Sequence, residues 1–196
     1  MVSLEDTIVY FFNFIGRLVC HLIPERTLWN GNHYLPVCAR CTGAYLGLYI
    51  GYLLLPLRRK EESGPPNLWI TLLMTMPMIV DATTQLIGFR TSTNELRLMS
   101  GLLFGAALAP LLVYLLSIIP TSRKIPILHN FFPKSVRLDD KNSWLSHKAF
   151  GLGLILAIAL FFAINGVSGS GNCIFYWMLS PLIIVSVLLH IFLLPI

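Results

Sequence analysis

Residues 20–41 read CHLIPERTLWNGNHYLPVCARC and hold three of the chain's four cysteines and two of its five histidines. Cys38 and Cys41 form a CxxC knuckle, a spacing at which two thiolates can turn onto one ion. Cys20 supplies a third sulfur. Zinc prefers tetrahedral nitrogen and sulfur ligands, so Cys20, Cys38 and Cys41 are the candidate metal ligands. His21, His33, Cys173 or water would complete the set. Adjacent helical residues point about 100° apart, so His21 does not easily share an ion with Cys20. It suits a supporting or proton-carrying place instead. Other chemistries fit the same residues. Cysteines on an oxidising face can close into disulfides. A CxxC beside Arg40 and a helix N-terminus can act as a redox pair. Cysteine in apolar surroundings can also be simply a small hydrophobe, and His33 beside Tyr34 suits a surface loop.

A second polar group lies in DATTQLIGFRTSTNELRLMSGLLFG, residues 81–105. Asp81 interrupts an apolar run, where an ionisable side chain is costly and points to a site. Gln85 is four residues on and shares its helix face. Arg90, Asn94 and Arg97 follow. Guanidinium forks match phosphate and carboxylate. Arg90, Asn94, Arg97, Gln85 and Arg40 are therefore the candidate substrate-binding residues, and His21 and Asp81 the candidate acid–base pair. The plainer alternative is that Asp81 pairs with Arg97 or Arg90 and only ties two helices together. The pattern Ser92-x-x-Glu95 reads as a capping box, which starts the next helix just after Ser92.

These two stretches, CHLIPERT…LPVCARCTGAYLGLYIG and D…Q…GFRTSTNELRLMSGLLFG, resemble a prokaryotic family of small multipass membrane proteins grouped as a domain of unknown function. The resemblance covers about residues 20–105. It implies one shared site carried by Cys20, His21, Pro24, Arg26, Cys38, Arg40, Cys41, Asp81, Gln85, Arg90, Asn94 and Arg97, but it implies no reaction. Cys173 lies outside it.

The elements that must position these residues are apolar. The chain is 56 % hydrophobic and 12 % charged, against about 25 % charged in soluble domains. Residues 42–57, 68–88, 95–119, 148–165 and 173–195 are long enough, or nearly so, to cross a bilayer, which takes about 20 residues. The first is short and is expected to extend back to Pro36. A sixth segment, 6–23, carries Asn13 and Arg17 and reads either as a span or as a helix lying in the interface. Backbone in hydrocarbon must bond internally, and no period-2 alternation appears. The expected fold is therefore all-α, a polytopic transmembrane bundle of five or six spans in a single domain, 1–196. Pro77 and Pro110 fall inside predicted helices, where kinks are expected. Residues 130–136 read as a short amphipathic helix. Residues 1–20 do not read as a signal peptide.

The net charge of +5 comes from lysines and arginines in loops, not from a basic surface interleaved with aromatics, so nucleic acid is not an expected partner. Nine basic residues in 58–60 and 123–148 face four on the other side, Arg26, Arg40, Arg90 and Arg97. The richer side reads as cytoplasmic. That makes 120–148 a cytoplasmic loop and puts the 20–41 loop on the extracytoplasmic side of the cell membrane. Gly43, Gly47 and Gly51, and Gly101 and Gly105, recur every four residues, a spacing that lets membrane helices approach closely. If the two stripes face each other, Cys41 and Arg97 both lie near the outer ends of packed helices.

The function expected from these features is a zinc-dependent membrane enzyme acting on an anionic lipid or lipid-linked substrate. A metal or small-solute transporter and a thiol–disulfide exchange protein are the alternatives. Polar groups concentrated on one part of one helix disfavour a transport route, which needs them through the membrane depth.

Overall fold

The computed structural model describes residues 4–29, 32–54, 66–118, 147–168 and 173–193. The chain order is helix α1 (Leu4–Val19), a 3-10 turn (Pro24–Arg26), strands β1 (Thr27–Trp29) and β2 (Tyr34–Cys38), then helices α2 (Ala39–Leu54), α3 (Leu68–Leu86), α4 (Asn94–Ile118), α5 (His147–Val167) and α6 (Cys173–Leu193). The expected helical segments all appear, with ends shifted by a few residues. Their connections at 55–65 and 119–146, with the basic clusters and the expected short helix at 130–136, lie outside the described residues.

The fold is mostly helical, but one expectation is corrected. The segment before Ala39 is not a backward extension of α2. It is a strand, paired antiparallel with β1 through Thr27–Cys38 and Trp29–Tyr34. Pro36 explains this. It has no N–H for a helix, and it pushes Leu35 towards extended backbone. The hairpin buries Leu28, Leu35 and Val37.

α2 and α4 form the centre. A Cβ added at Gly43, Gly47, Gly101 or Gly105 would lie 2.0–2.3 Å from a backbone oxygen of the facing helix. Only bare glycine permits that approach, so the two stripes do face each other. Gly43 meets Leu98, Gly47 meets Leu102 and Gly51 meets Ala109. The numbers rise together, so α2 and α4 run parallel. α3 runs the other way, with Asp81 near its end lying against Arg40 at the start of α2. Gly153 near the start of α5 lies by Leu54 at the end of α2. Tyr49 donates to the Leu182 carbonyl of α6 at 2.9 Å, and Tyr176 near the start of α6 lies against His33, just ahead of the strand that leads into α2. Helices α2, α4 and α6 therefore begin at the same end of the bundle, and α3 and α5 finish there.

Among the described residues, one helix stretch, Asn94–Leu115, is long and apolar enough to cross a membrane, with a mean hydropathy of 2.0. α5 and α6 contain shorter apolar stretches, Gly151–Val167 and Tyr176–Leu188. Pro77, Pro110 and Pro181 lie inside continuous helices.

Gly105→Val should lower the unfolding midpoint in detergent sharply, because overpacking typically costs about 1–3 kcal/mol and here the clash is with backbone. Gly151→Ala, which meets nothing within 4 Å, should leave the midpoint unchanged. Equal effects of the two substitutions would contradict the close α2–α4 contact.

Candidate metal centre and the arginine cluster beside it

The three cysteines come from three different elements. Cys20 continues the last turn of α1, its N–H bonded to the Gly16 carbonyl at 2.9 Å. The chain then reverses through Leu22, whose φ of 48° lies in the left-handed region, a conformation that costs a non-glycine residue about 1–2 kcal/mol. Cys38 ends β2, and Cys41 lies in the first turn of α2. Gly16 of α1 fits directly over the Pro36 carbonyl of β2, where a Cβ would collide, and this docks α1 on the strand. The result is three sulfurs all within 4.8 Å of one another. The Cys38 N–H also points at the Cys20 sulfur, 3.3 Å away.

All three thiols are free, and one of them ionises first. The Cys20 thiol is pulled well below its ordinary range, chiefly by a hydrogen bond from the Cys38 side chain and next by one from Cys41. The bond to Cys20 raises Cys38. The three sulfurs are soft donors close enough together to hold one metal ion. Three thiolates on zinc at about 2.3 Å would lie about 3.8 Å apart, so the cluster fits such an ion after a small contraction. His33 is not beside the sulfurs. It contacts Glu5 at 3.3 Å and lies against the Tyr176 ring, 5.4 Å between centroids. The side chain of Cys173 lies outside the described residues.

Asp81 organises the second group. It is 2 % exposed and receives Arg40 on one oxygen and Arg90 on the other, the latter at 2.8 Å. Gln85 Nε2 adds a bond at 3.0 Å, and the Ser92 side chain reaches the same carboxylate. The expected tie of two helices is present, but it is made with Arg40 and Arg90 and not with Arg97. Arg90 reaches back nine residues because Gly88, with φ of 72°, lets the chain turn sharply. There the Gly88 N–H bonds Gln85 and the Phe89 N–H bonds Thr84, the left-handed helix ending that glycine favours. The helix cap expected at Ser92 is also shifted. α4 starts at Asn94, and Thr93 Oγ1 accepts from the Leu96 N–H at 3.3 Å. Ser92 Oγ instead donates to the Thr93 carbonyl at 3.3 Å.

Arg97 is different. It is 7 % exposed and bonds only neutral oxygens among the described residues, Asn94 Oδ1 at 2.8 Å and Gln85 Oε1 at 3.3 Å. Its buried Nε has no hydrogen-bond partner there. A buried charge normally pairs with an opposite one.

The two groups meet on one cavity of ≈ 390 Å³. The three cysteines, Arg26, Arg40 and Arg97 line it, with His21 at its wall and no carboxylate among the lining residues. Arg90, Asn94, Gln85 and Asp81 stand behind this lining. Asn94 Nδ2 also bonds the Glu25 carbonyl at 3.3 Å, which fixes the 3-10 turn bearing Arg26 over the start of α4. Sequence spacing did not single out Arg26 as a binding residue. Its signal was its place in the family pattern.

The model of a family described as predicted membrane protein, DUF2085, matches residues 20–111. The chain belongs to this family. The match spans every cavity residue from Cys20 to Arg97 and leaves out all of α1, α5 and α6. An uncharacterized protein of Methanothermobacter thermautotrophicus is 42 % identical over 98 residues, 48 % of this chain and 85 % of its own length. The uncharacterized protein MJ1492 of Methanocaldococcus jannaschii is 41 % identical over 92 residues, 46 % of this chain. The chain spans 59 % of the length of that relative. No solved structure matches.

Asp81 is the buried acceptor of two partly exposed guanidinium groups, and breaking a fully buried pair costs about 3–5 kcal/mol, an upper bound here. Asp81→Ala should therefore cost several times more stability than Arg90→Ala, whose side chain is 42 % exposed and whose pairing is screened to about 1 kcal/mol or less. Unfolding in detergent measures both. Similar losses would show that Asp81 does not anchor the cluster.

Proposed function

We propose that this protein is a multipass membrane protein with a thiolate metal centre at one end of its bundle, acting on the anionic headgroup of a lipid or lipid-linked substrate. The observation that carries this is the composition of one cavity wall: three free thiols within 4.8 Å of one another beside three guanidinium groups and no carboxylate. Sulfur donors select soft ions such as zinc over magnesium or calcium. Cys20, Cys38 and Cys41 would hold the ion and leave a fourth position towards the cavity. Such an ion supplies Lewis acidity and lowers the pKa of bound water towards about 7.

The remaining roles belong to the chain's own side chains. Arg97 and Arg26 bind the substrate anion, and Arg97 gains the opposite charge it lacks. Arg40 is shared between the cavity and Asp81. Asp81, with Gln85, holds the guanidinium groups in place, and Asn94 orients Arg97. Arg90 acts from behind, on Asp81. His21, exposed at the wall, moves the proton. Membrane crossing by α2–α6 is supported by their alternating directions and by apolar faces left exposed, as at Trp69, Leu73, Leu86 and Phe89 of α3 and its exit. The excess of basic residues in 58–60 and 123–148 supports an extracytoplasmic centre in the cell membrane.

Elemental analysis of anaerobically purified protein should find one equivalent of zinc, lost in Cys38→Ser and kept in Arg97→Gln. In native mass spectrometry the metal-loaded protein should retain phosphatidic acid over phosphatidylcholine. Arg97→Gln should reduce that preference about tenfold, the loss of a charge-assisted hydrogen bond. Two disulfides and no metal by thiol counting would overturn the metal centre. Equal retention of both lipids would overturn the anion site.

A further inference from the structure

We infer that α1 lies in the membrane interface, across the end of the bundle that carries the cysteines, and that its amino end is on the same side of the bilayer as they are. The first observation is one of level. The bond from Tyr49 to Leu182 sets the register of the parallel helices α2 and α6. At equal rise, Tyr176 is then level with Gly43, two residues beyond Cys41. The Tyr176 ring lies against His33, and His33 contacts Glu5 in the first turn of α1. At its other end, α1 runs into Cys20, which lies against Cys38 and Cys41. Both ends of α1 therefore sit near one level of the bundle. Yet its 16 residues are about 24 Å long at 1.5 Å each. A helix running along the bundle axis would separate its ends by that full length.

The second observation is how the surface of α1 is divided. Phe12, Ile15, Gly16 and Val19 face the hairpin and the core, fully or partly buried. Leu4, Phe11, Phe14 and Leu18, spaced seven, three and four apart, form an exposed apolar stripe. Asp6, Asn13 and Arg17, seven and four apart, form a third, polar stripe. A crossing helix would surround that polar stripe with hydrocarbon or protein at considerable cost. A helix in the interface turns the polar stripe to water and the apolar one to lipid tails. Trp29 and Tyr34, paired on the adjacent hairpin at 6.4 Å and each 47 % exposed, are the residue types that collect at headgroup depth.

The surface partner of α1 is thus the bilayer itself, at the leaflet on the cysteine side, and the crossings number five. The cavity wall from Val19 to Ile23 continues directly from this helix, so the cavity mouth lies at headgroup depth. The inference rests on the contacts of α1 and holds whether or not a metal binds.

The test compares faces. One protease site is inserted ahead of Leu4 and another within 58–63, each in an otherwise full chain in sealed vesicles. Protease added outside should cut only one of the two variants in right-side-out vesicles, and only the other in inverted ones. Cleavage of both from the same face would mean that α1 crosses and would overturn the inference. As a second measurement, Phe14→Trp should gain a fluorescence component over the parent that is quenched best by lipids brominated near the headgroup. Best quenching by bromines at the bilayer centre would overturn it too.

Discussion

The whole site depends on how closely two helices approach. α2 and α4 touch backbone to backbone along their glycines, and nothing larger fits there. Because they run parallel, their first turns lie side by side. Those turns carry Arg40 and Cys41 on one helix and Arg97 on the other. Residues more than 50 positions apart in sequence are thereby held on one cavity wall. In a bilayer, such contacts draw on packing rather than on the hydrophobic effect, which is why small residues carry them.

Asp81 adds a second constraint. A single buried carboxylate holds Arg40 and Arg90, from α2 and from the turn after α3. It leaves Arg97 with neutral partners only. The charge that Asp81 satisfies and the charge it leaves unsatisfied are both parts of the same arrangement. The first fixes the scaffold, and the second leaves a buried positive charge on the cavity wall. The cysteine trio beside it has the opposite chemical footing, since three sulfurs that close together could hold a cation.

Much of this was legible in the sequence. The helices followed from long apolar runs, the α2–α4 contact from glycines every fourth residue, and the placing of Cys41 and Arg97 at one end of the packed pair from that contact. What the sequence hid has physical causes. The hairpin at 27–38 was masked by the apolar character of Leu35 and Val37, which suits a buried strand as well as a helix end, and Pro36 was the clue that decides it. The cap moved from Ser92 to Thr93 because both residue types can cap, and spacing alone does not tell them apart. The choice of Arg40 over Arg97 as the partner of Asp81 depends on helix rotation, which spacing along one helix does not reveal. Arg26 reaches the cavity because the chain reverses at Leu22 in a conformation that no sequence rule predicts for leucine.

The central claim is that three sulfurs from three elements converge on one ion beside the guanidinium groups. X-ray absorption at the metal edge of the purified, metal-loaded protein tests it most directly. The account predicts three sulfur neighbours at about 2.3 Å and one lighter atom. A shell without sulfur, or one of nitrogen and oxygen alone, would contradict it.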